Sequence, residues 1–390
     1  MVAQDPPGGL RAGARRVLED AWRPEEGYCV PNARIYPHQW LWDSCFHSIA
    51  WAALGDPRAV VELRSTFARQ FRNGFVPHMS YRGETVGRGP RRDVSGFTQP
   101  PVYALALDAV RSAGLGVDSD LLDSTRRGLG YLLRQRMRDG LCFVVHPWET
   151  GCDDSPRWDA WVGASDWVQE TWLAVDLRLV EAASFSPEGD ATSSAEFACA
   201  PSLFNGILSH ALLVAGRLLE DERLRAASWE LGEAMDELLW DEAQGLFVDR
   251  PLVGGGDSAR VPTIDGALSA LGSVRRDHAL ACLEQLRDPD RFAAPHGLRY
   301  LPAGHPTYRP DQYWRGSAWP QLTYLAVQAC RRWGLDNLAA TVGAQASRAI
   351  PAAGWSEHWN PETGHGLGAR PHTWSALAAA LGPQASTAVS

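Results

Sequence analysis

The sequence of 390 residues contains no lysine, and all 37 of its basic residues are arginine. This absence excludes every mechanism that needs a lysine amine, including the phosphate-binding lysine of P-loop enzymes, Schiff-base catalysis and the anchoring of pyridoxal phosphate. The 46 acidic residues outnumber the arginines and give a formal net charge of −9. Because a phosphate backbone attracts proteins of positive charge, we expect no nucleic acid among the partners of this chain.

Cysteine is scarce and long apolar runs are absent. The seven cysteines are odd in number, scattered along the chain and never spaced as Cys-x-x-Cys, which argues against a disulfide framework and a zinc ribbon. No stretch approaches the roughly 18 consecutive apolar residues of a membrane span, and the N-terminal segment lacks the apolar core of a secretion signal. We therefore expect a cytoplasmic protein without a membrane partner, whose oligomeric state the sequence does not fix.

Apolar residues spaced three and four apart predict helices along most of the chain. Segments with this spacing include 57–72, 101–113, 119–137, 200–219, 222–240, 276–288, 316–333 and 336–350. Very short turns join neighbouring helices, and longer stretches rich in Gly, Pro, Trp and His separate the pairs. The alternation predicts an all-α fold, an (α/α)6 barrel with the long loops on one face, as a single domain over residues 1–390. Strands should be limited to small hairpins such as Leu141–Val145 and Leu246–Asp249.

A helical-repeat solenoid is the competing architecture for a chain of helical hairpins. Such a protein repeats its sequence with a fixed period of roughly 33 to 47 residues. We find no self-similarity of that kind, so a closed ring remains the predicted arrangement.

Tryptophan is unusually abundant, with 17 residues against 11 Phe and 9 Tyr. Flat indole faces suit protein cores, and they also suit sugar rings, whose C–H bonds stack on them. Many of these tryptophans lie in the long loops, together with His, Asp, Gln and Arg. Because binding residues concentrate on loops held by a rigid scaffold, the set predicts a carbohydrate site.

Cleavage of a glycosidic bond needs one carboxylic acid to protonate the leaving oxygen and a second carboxylate to activate water or attack directly. The candidates in Trp-containing loops are Asp43, Glu149, Asp153, Asp154, Glu357 and Glu362. Asp43 directly precedes a predicted helix and could simply cap it. The alternative interpretation is structural, with these acids capping helices and pairing with Arg157, Arg315 or Arg370.

Five motifs, in order along most of the chain, carry a resemblance to glycoside hydrolase family 63 and the related neutral trehalases. They are WLWDSCFH at 40–47, TQPP at 98–101, ETGCDDSPRW at 149–158, YWRG at 313–316 and EHWNPETGHG at 357–366. The chain most resembles the small single-domain branch, the mannosylglycerate and glucosylglycerate hydrolases. The resemblance implies an (α/α)6 barrel and the hydrolysis of a small α-glucoside or α-mannoside with inversion of configuration.

The resemblance also implies roles for individual residues. Asp153 falls on the position of the general acid and Glu357 on that of the general base, while Asp154 and Glu362 are expected to make structural bonds. The residues implied to bind the sugar, or in the case of Arg157 to lie beside the acid, are Tyr36, Trp42, Asp43, His78, Gln99, Trp148, Arg157, Tyr313, Trp314 and Trp319. Two carboxylates suffice for this chemistry and no His and Cys cluster has metal-ligand spacing, so we expect no metal and no organic cofactor.

Two segments depart from the pattern of the glycerate-glycoside hydrolases. Where the family has an Arg-containing motif for the glycerate carboxylate, residues 183–189 read ASFSPEG, without arginine. Near the C-terminus, ARPH at 369–372 replaces a Gln-rich turn. The sugar pocket is thus expected to be kept and the aglycone pocket changed, so that neutral glycosides compete well with acidic ones.

Three other functions stay open on the sequence alone. The DDSPRWD segment at 153–159 loosely resembles the magnesium motif of class I terpenoid synthases, although no second motif follows. A sugar epimerase would use paired histidines, for which His78, His146, His296 and His358 are candidates. A non-catalytic sugar-binding protein would keep the tryptophans without the acids. Among hydrolases, the motifs leave four activities open: trehalase, glucosylglycerate hydrolase, mannosylglycerate hydrolase and a glycosidase that acts on a secondary metabolite.

Overall fold

The computed structural model describes residues 9–83, 88–163, 167–256 and 260–382. Helices dominate these ranges. The α-helices are α1 Leu10–Ala21, α2 Leu41–Ala53, α3 Arg58–Phe67, α4 Tyr103–Ser112, α5 Ser119–Gln135, α6 Asp159–Val162, α7 Gln169–Glu181, α8 Ser202–Leu218, α9 Glu222–Leu238, α10 Ile264–Leu268, α11 Arg276–Glu284, α12 Pro320–Arg332 and α13 Asp336–Ala352. Two 3₁₀ segments, Ser269–Leu271 and Thr373–Ala380, take the place of α-helices in the inner ring described below.

The described strands are short and pair in twos, always antiparallel. The pairs are β1 Trp22–Arg23 with β2 Tyr28–Cys29, β3 Gln39–Trp40 with β4 Met79–Ser80, β5 Met137–Arg138 with β6 Leu141–Cys142, β7 Ala183–Phe185 with β8 Ala191–Ser194, β9 Ala198–Ala200 with β12 Arg250–Val253, β10 Trp240–Asp241 with β11 Leu246–Phe247, β13 Ala293–Ala294 with β14 Gly297–Leu298, and β15 His358–Trp359 with β16 Gly366–Leu367. The small hairpins predicted at 141 and 246 are therefore present.

The helices form two layers. Six segments contact one another in a ring. Helix α2 contacts α4, α4 contacts α8, and α8 contacts segment 269–271. Segment 269–271 contacts α12, and segment 373–380 contacts both α12 and α2, which closes the ring. Helices α3, α9, α11 and α13 pack on the outside of this ring, mainly against α2, α8, segment 269–271 and α12, respectively. Burial separates the layers, since 12 of the 13 residues of α2 are buried against 6 of the 17 in α9. A helix buried on all sides belongs to the inside, and one with a single apolar face belongs to the outside.

The predicted helix pairs are confirmed. Helices α2 and α3, α8 and α9, and α12 and α13 are each joined by only three or four residues. At the second of these turns Asp221 accepts a hydrogen bond from the backbone N–H of Arg223 and so caps α9. None of the described helices has the length and apolar character that a bilayer crossing requires.

Helix α7 was not predicted. Its inner face consists of Trp172, Val175, Asp176 and Leu179, and thus includes a buried acid. Leu173 and Leu177 lie on the opposite face and are about half exposed. Apolar residues on both faces and an acid on the buried one hide the helical period that marks the other helices.

Candidate active site

The long loops meet in one small pocket that opens to solvent. It takes residues from the loops before α2, α4, α6 and α12 and from the chain around β15. Seven of the twelve predicted site residues line it, namely Tyr36, Trp42, Asp43, Gln99, Asp153, Tyr313 and Glu357. The pocket also contains five residues that were not predicted: Pro31, Trp40, Gly151, His372 and Trp374. Residues that lie far apart in the chain are therefore brought to one site.

Glu357 directly precedes β15, and two hydrogen bonds hold its carboxylate in the pocket. The Tyr36 hydroxyl donates to Oε1 at 3.1 Å, and the backbone N–H of Ala369 donates to Oε2 at 2.8 Å. Burial raises the pKa of Glu357 to about 7, against the lowering effect of these two donors. Position 368 has to be glycine, because φ is +70° there and a Cβ would lie 2.5 Å from Oε2 of Glu357.

Asp153 follows a tight turn in the loop before α6. A short 3₁₀ turn, Pro147–Thr150, ends at Gly151 with φ +72°. A Cβ on Gly151 would lie 2.4 Å from the Trp42 ring, so glycine lets the loop approach this indole closely. Oδ1 of Asp153 is buried and has no hydrogen-bond partner among the described residues.

The environment of Asp153 favours its protonated form. Burial raises the pKa of Asp153 well above its usual range, and the carboxyl groups of Asp154 and Asp176 raise it further, while the charge of Arg88 opposes the shift. A buried carboxylic acid that keeps its proton at neutral pH can give that proton to a substrate oxygen. The two predicted catalytic carboxyls thus sit in one pocket in different environments.

The other acids proposed from the sequence have structural partners, except Asp43. Arg136 makes two hydrogen bonds to the carboxylate of Glu149, at 3.0 and 2.8 Å, in a fully buried pair. Asp154 accepts a hydrogen bond from Nε1 of Trp167 at 2.6 Å. Glu362 pairs with Arg299. Asp43 lines the pocket from the first turn of α2, whose N-cap is Trp40, and burial raises its pKa to about 7.

Arg157 lies outside the pocket lining. Its guanidinium is buried and forms ion pairs with Asp249 at 2.7 Å and with Asp265 at 2.6 Å. The 3₁₀ turn Pro156–Trp158 directs the side chain away from Asp153, although the two residues are close in sequence. The structure therefore gives Arg157 a place in a buried ionic cluster behind the loop.

The remaining predicted residues form a second layer. Trp314 and Trp319 stack face to face at 3.8 Å between ring centres, and Tyr313, which lines the pocket, meets Trp319 edge-on at 5.2 Å. On the other side, Nε1 of Trp148 donates to Asp176 at 3.1 Å, and the Trp148 ring lies 6.1 Å from that of His78. All four of these side chains are buried, and the two stacked indoles pack against the lining residue Tyr313.

The segment after the cis bond to Pro371 forms a wall of the pocket that the sequence analysis missed. Nε1 of Trp374 donates to the backbone oxygen of Glu357 at 2.7 Å, and His372 lies 5.7 Å from the Tyr36 ring. The sequence signal was present, since Trp374 follows the segment 369–372 that departs from the family pattern. Its contact with Glu357 depends on ring closure, which no local pattern encodes.

One buried group of potential metal ligands, Cys29, His47 and Glu62, is found in the described ranges. These ligand atoms already have hydrogen-bond partners. Sγ of Cys29 donates to the carbonyl oxygen of Leu18 at 3.5 Å, and the Glu62 carboxylate accepts from the backbone N–H of Cys29 at 2.9 Å. Nδ1 of His47 lies 3.3 Å from Oε1 of Glu62, and its Nε2 lies 2.6 Å from Oγ1 of Thr373. The network ties α2 and α3 to segment 373–380, and so fixes the Trp374 wall.

Comparison with known proteins identifies the family of this chain. A family model described as mannosylglycerate hydrolase MGH1-like glycoside hydrolase domain matches residues 36–375. A mannosylglycerate hydrolase of Thermus thermophilus is 29% identical over 90% of this chain and 95% of its own. A glucosylglycerate hydrolase of Mycolicibacterium hassiacum is 27% identical over 88% of this chain and 91% of its own.

A solved structure is also similar over nearly the whole length. The glycoside hydrolase family 63 mannosylglycerate hydrolase of Thermus thermophilus, in complex with glucose, has a TM-score of 0.78 and 26% identity, and the match covers 96% of this chain and 99% of that one. The family predicted from the five motifs is thereby confirmed. The chain belongs to the MGH1-like glycoside hydrolase family and is a glycoside hydrolase.

Proposed function

We propose that this enzyme hydrolyses a small α-glucoside or α-mannoside with inversion, with Asp153 as general acid and Glu357 as general base. The observation that carries the proposal is the placement of two buried carboxyl groups in one aromatic-lined pocket, one of them unbonded and the other held by two donors. An inverting glycosidase needs this division of roles, because one group must arrive protonated and the other ionised.

Asp153 supplies the proton for the leaving group. Its unbonded Oδ1 is free to contact a glycosidic oxygen, and burial raises the pKa of the carboxyl group and so favours its protonated form. As the bond between the sugar carbon and that oxygen breaks, the proton moves to the oxygen and the leaving group departs as a neutral alcohol.

Glu357 removes a proton from the attacking water. Its two hydrogen bonds fix the carboxylate, and the ionised form prevails above a pH of about 7. Activity should therefore rise as the pH increases through the pKa of Glu357, and it should fall when Asp153 loses its proton at higher pH. Water bound by Glu357 attacks the sugar carbon from the face opposite the leaving oxygen.

The sugar binds among Tyr36, Trp42, Asp43, Gln99 and Tyr313. Tyrosine and tryptophan rings offer faces for the C–H side of a pyranose, and the carboxyl and amide groups suit its hydroxyls. The relatives are named for mannosyl and for glucosyl substrates. Both sugars are therefore included in the proposal.

We further propose that the scaffold is an (α/α)6 barrel formed by a single domain. The closed series of contacts from α2 through α4, α8 and α12 back to α2 supports six inner segments. The pocket then lies at the end of the ring where the long loops gather.

Two leaving groups of different quality test the residue roles. Asp153→Asn should lower kcat by roughly 10²–10⁴ on an alkyl α-glycoside, because general acid catalysis contributes that much when the leaving group is poor. The same variant should lose far less on an α-glycosyl fluoride, since fluoride departs without a proton. Glu357→Gln should lower both rates strongly, because both reactions need an activated water.

A nearby acid provides the matched control. Glu362 lies five residues after Glu357, and its carboxylate pairs with Arg299 outside the pocket. In Glu362→Gln the rates on both substrates should stay close to those of the wild-type enzyme. Equal losses on both substrates in Asp153→Asn would contradict its role as the acid. Retained activity in Glu357→Gln would contradict its role as the base.

A further inference from the structure

A second cavity lies inside the ring of helices, at the end opposite the active-site pocket. Its lining comes from five of the six inner segments, namely α2, α4, α8, α12 and segment 373–380. On α2, Asp43 of the first turn lines the active-site pocket, whereas Ala53, the last residue, lines the cavity. This step along the helix corresponds to about 15 Å. The two sites are therefore separate.

Small side chains leave room in this cavity. Five of the thirteen lining residues are alanines, namely Ala52, Ala53, Ala109, Ala113 and Ala380. The cavity has a volume of about 340 Å³, which lies within the range of roughly 300–1,000 Å³ that is usual for small-molecule sites. Its rim reaches the solvent, because Ser112 and Ala113 are exposed. The cavity is thus large enough and open enough to admit a small molecule.

Tyr324 of α12 brings a hydroxyl group without a partner to the cavity wall. The residue lines the cavity and is only 5% exposed, and its hydroxyl makes no hydrogen bond to any residue that the structure describes. Burial and the charge of Asp108 raise the pKa of this phenol above its usual range, so the group keeps its proton. Because buried hydroxyls are normally hydrogen-bonded, this one is suited to a ligand.

Two more hydrogen-bond donors lie on the same wall. Nε2 of Gln328, one turn after Tyr324, is buried and has no partner in the described ranges. Nδ1 of His210 lies 3.1 Å from a guanidinium nitrogen of Arg332, which can only donate. Burial and the charge of Arg332 lower the pKa of His210 to about 3. The neutral ring therefore carries its proton on Nε2, where it is available to a ligand.

The charges around the cavity disfavour an ionic ligand. Asp108 lies in the wall and forms neither an ion pair nor a hydrogen bond with a described residue. Arg332 holds His210 from behind, and Arg111 directly precedes Ser112 of the rim. An anion would approach the carboxyl group of Asp108, and a cation would approach the arginines. A neutral molecule avoids both costs.

We propose that this cavity is a second binding site, which takes a neutral polyhydroxy compound of about the size of one sugar ring. A hydroxyl group both donates and accepts, which matches a wall with donors at Gln328 and His210, an acceptor at Asp108 and a phenol that can do either. Apolar side chains between these groups, those of Ile49 and Val214 among them, suit the C–H groups of such a compound. The proposal does not depend on the proposed function.

Fluorine NMR of the enzyme labelled with 3-fluorotyrosine reports on both sites at once. Tyr324 is the probe of the cavity, and Tyr36 and Tyr313 are the probes of the active-site pocket. Each signal is assigned as the one that disappears in the corresponding Tyr→Phe variant. Glucose should shift the Tyr324 signal of the wild-type enzyme in a saturable way, with half-saturation on the order of 1–10 mM for a ligand of this size.

Two charged relatives of glucose test the choice of a neutral ligand. Glucosamine carries an ammonium group and glucuronate a carboxylate on the same ring. Each should need at least about tenfold higher concentration than glucose to shift the Tyr324 signal, because a buried charge without a partner is costly. A charged sugar that binds the cavity better than glucose would contradict the proposed ligand class.

Two variants alter the cavity and leave the active-site pocket intact. Ala109→Leu fills the cavity and should abolish the Tyr324 shift, while kcat/KM for an α-glycoside stays within about twofold because sites this far apart act nearly independently. Gln328→Leu removes one donor and should raise the half-saturation by about three- to tenfold. Ala226→Leu, at an exposed position of α9 outside the cavity, is the matched control and should keep the shift in full.

Three outcomes would overturn the inference. One is a Tyr324 signal that does not move up to about 100 mM glucose, well beyond the expected half-saturation. Another is a shift that persists in Ala109→Leu and follows the Tyr36 and Tyr313 signals, since it would arise from binding in the active-site pocket alone. The third is a shift that grows linearly without saturation. If the enzyme hydrolyses no α-glycoside, the proposed function fails, yet the Tyr324 titration still decides this proposal, with thermal unfolding as the check that each variant is folded.

Discussion

Removal of the Tyr36 hydroxyl should move the pH dependence of catalysis in a defined direction. The hydroxyl donates to Oε1 of Glu357 at 3.1 Å and stabilises the ionised carboxylate. Burial and the nearby Glu357 raise the pKa of Tyr36 above its usual range, so the hydroxyl stays a donor throughout the working pH range. Tyr36→Phe deletes this donor with little change in shape.

The magnitude follows from the energy of the bond. A hydrogen bond to a charged group is worth about 1.5–3 kcal/mol, which corresponds to about one to two pKa units. The pKa of Glu357, about 7 in the intact site, should rise accordingly. At pH 7 the ionised fraction would fall from about a half to roughly 1–10%, and raising the pH should recover much of the lost rate.

The assay is kcat as a function of pH with a saturating α-glycoside. Tyr308→Phe is the matched control, because the Tyr308 hydroxyl donates to Glu362 at 2.6 Å, outside the pocket. The acid limb should shift upward in Tyr36→Phe and stay in place in Tyr308→Phe. A loss in Tyr36→Phe that is uniform over pH, or an acid limb that does not move, would refute this reasoning.

Two predictions concern the packing and the ion pair that hold the site. Gly151→Ala places a Cβ 2.4 Å from the Trp42 ring at a residue with φ +72°. Kinetics should therefore show a higher KM, and thermal melting should show a free energy of unfolding lower by about 1–3 kcal/mol. An unchanged KM and melting temperature would contradict this packing. Arg136→Met leaves Glu149 buried without its partner and should cost about 3–5 kcal/mol in urea unfolding, and a loss below about 1 kcal/mol would show that the pair is not needed.

Much of the helical scaffold could be predicted from the sequence, because most helices are amphipathic. In α9 the buried residues Leu224, Leu231 and Met235 recur at helical spacing, so its face is visible in the sequence. Helix α7 escaped because it has apolar residues on both faces. The close turns between paired helices carry local Gly, Asp and Pro signals and were predicted correctly.

The candidate site was predictable where a motif fixes a residue and unpredictable where tertiary contacts decide. Asp153 and Glu357 were found from motifs, and the structure places both in the pocket. Arg157 seemed to belong there by its closeness in sequence to Asp153, but a 3₁₀ turn sends it to Asp249 and Asp265. Trp374 was missed because its neighbours come from distant parts of the chain.

The anomer that forms first on hydrolysis tests the central claim most directly. An α-linked glucoside or mannoside is mixed with the enzyme, and proton NMR records the released sugar before it mutarotates. Water activated by Glu357 on the face opposite the leaving group must give the β anomer. Initial release of the α anomer would contradict inversion, and absence of release from every α-glucoside and α-mannoside would contradict the proposed activity itself.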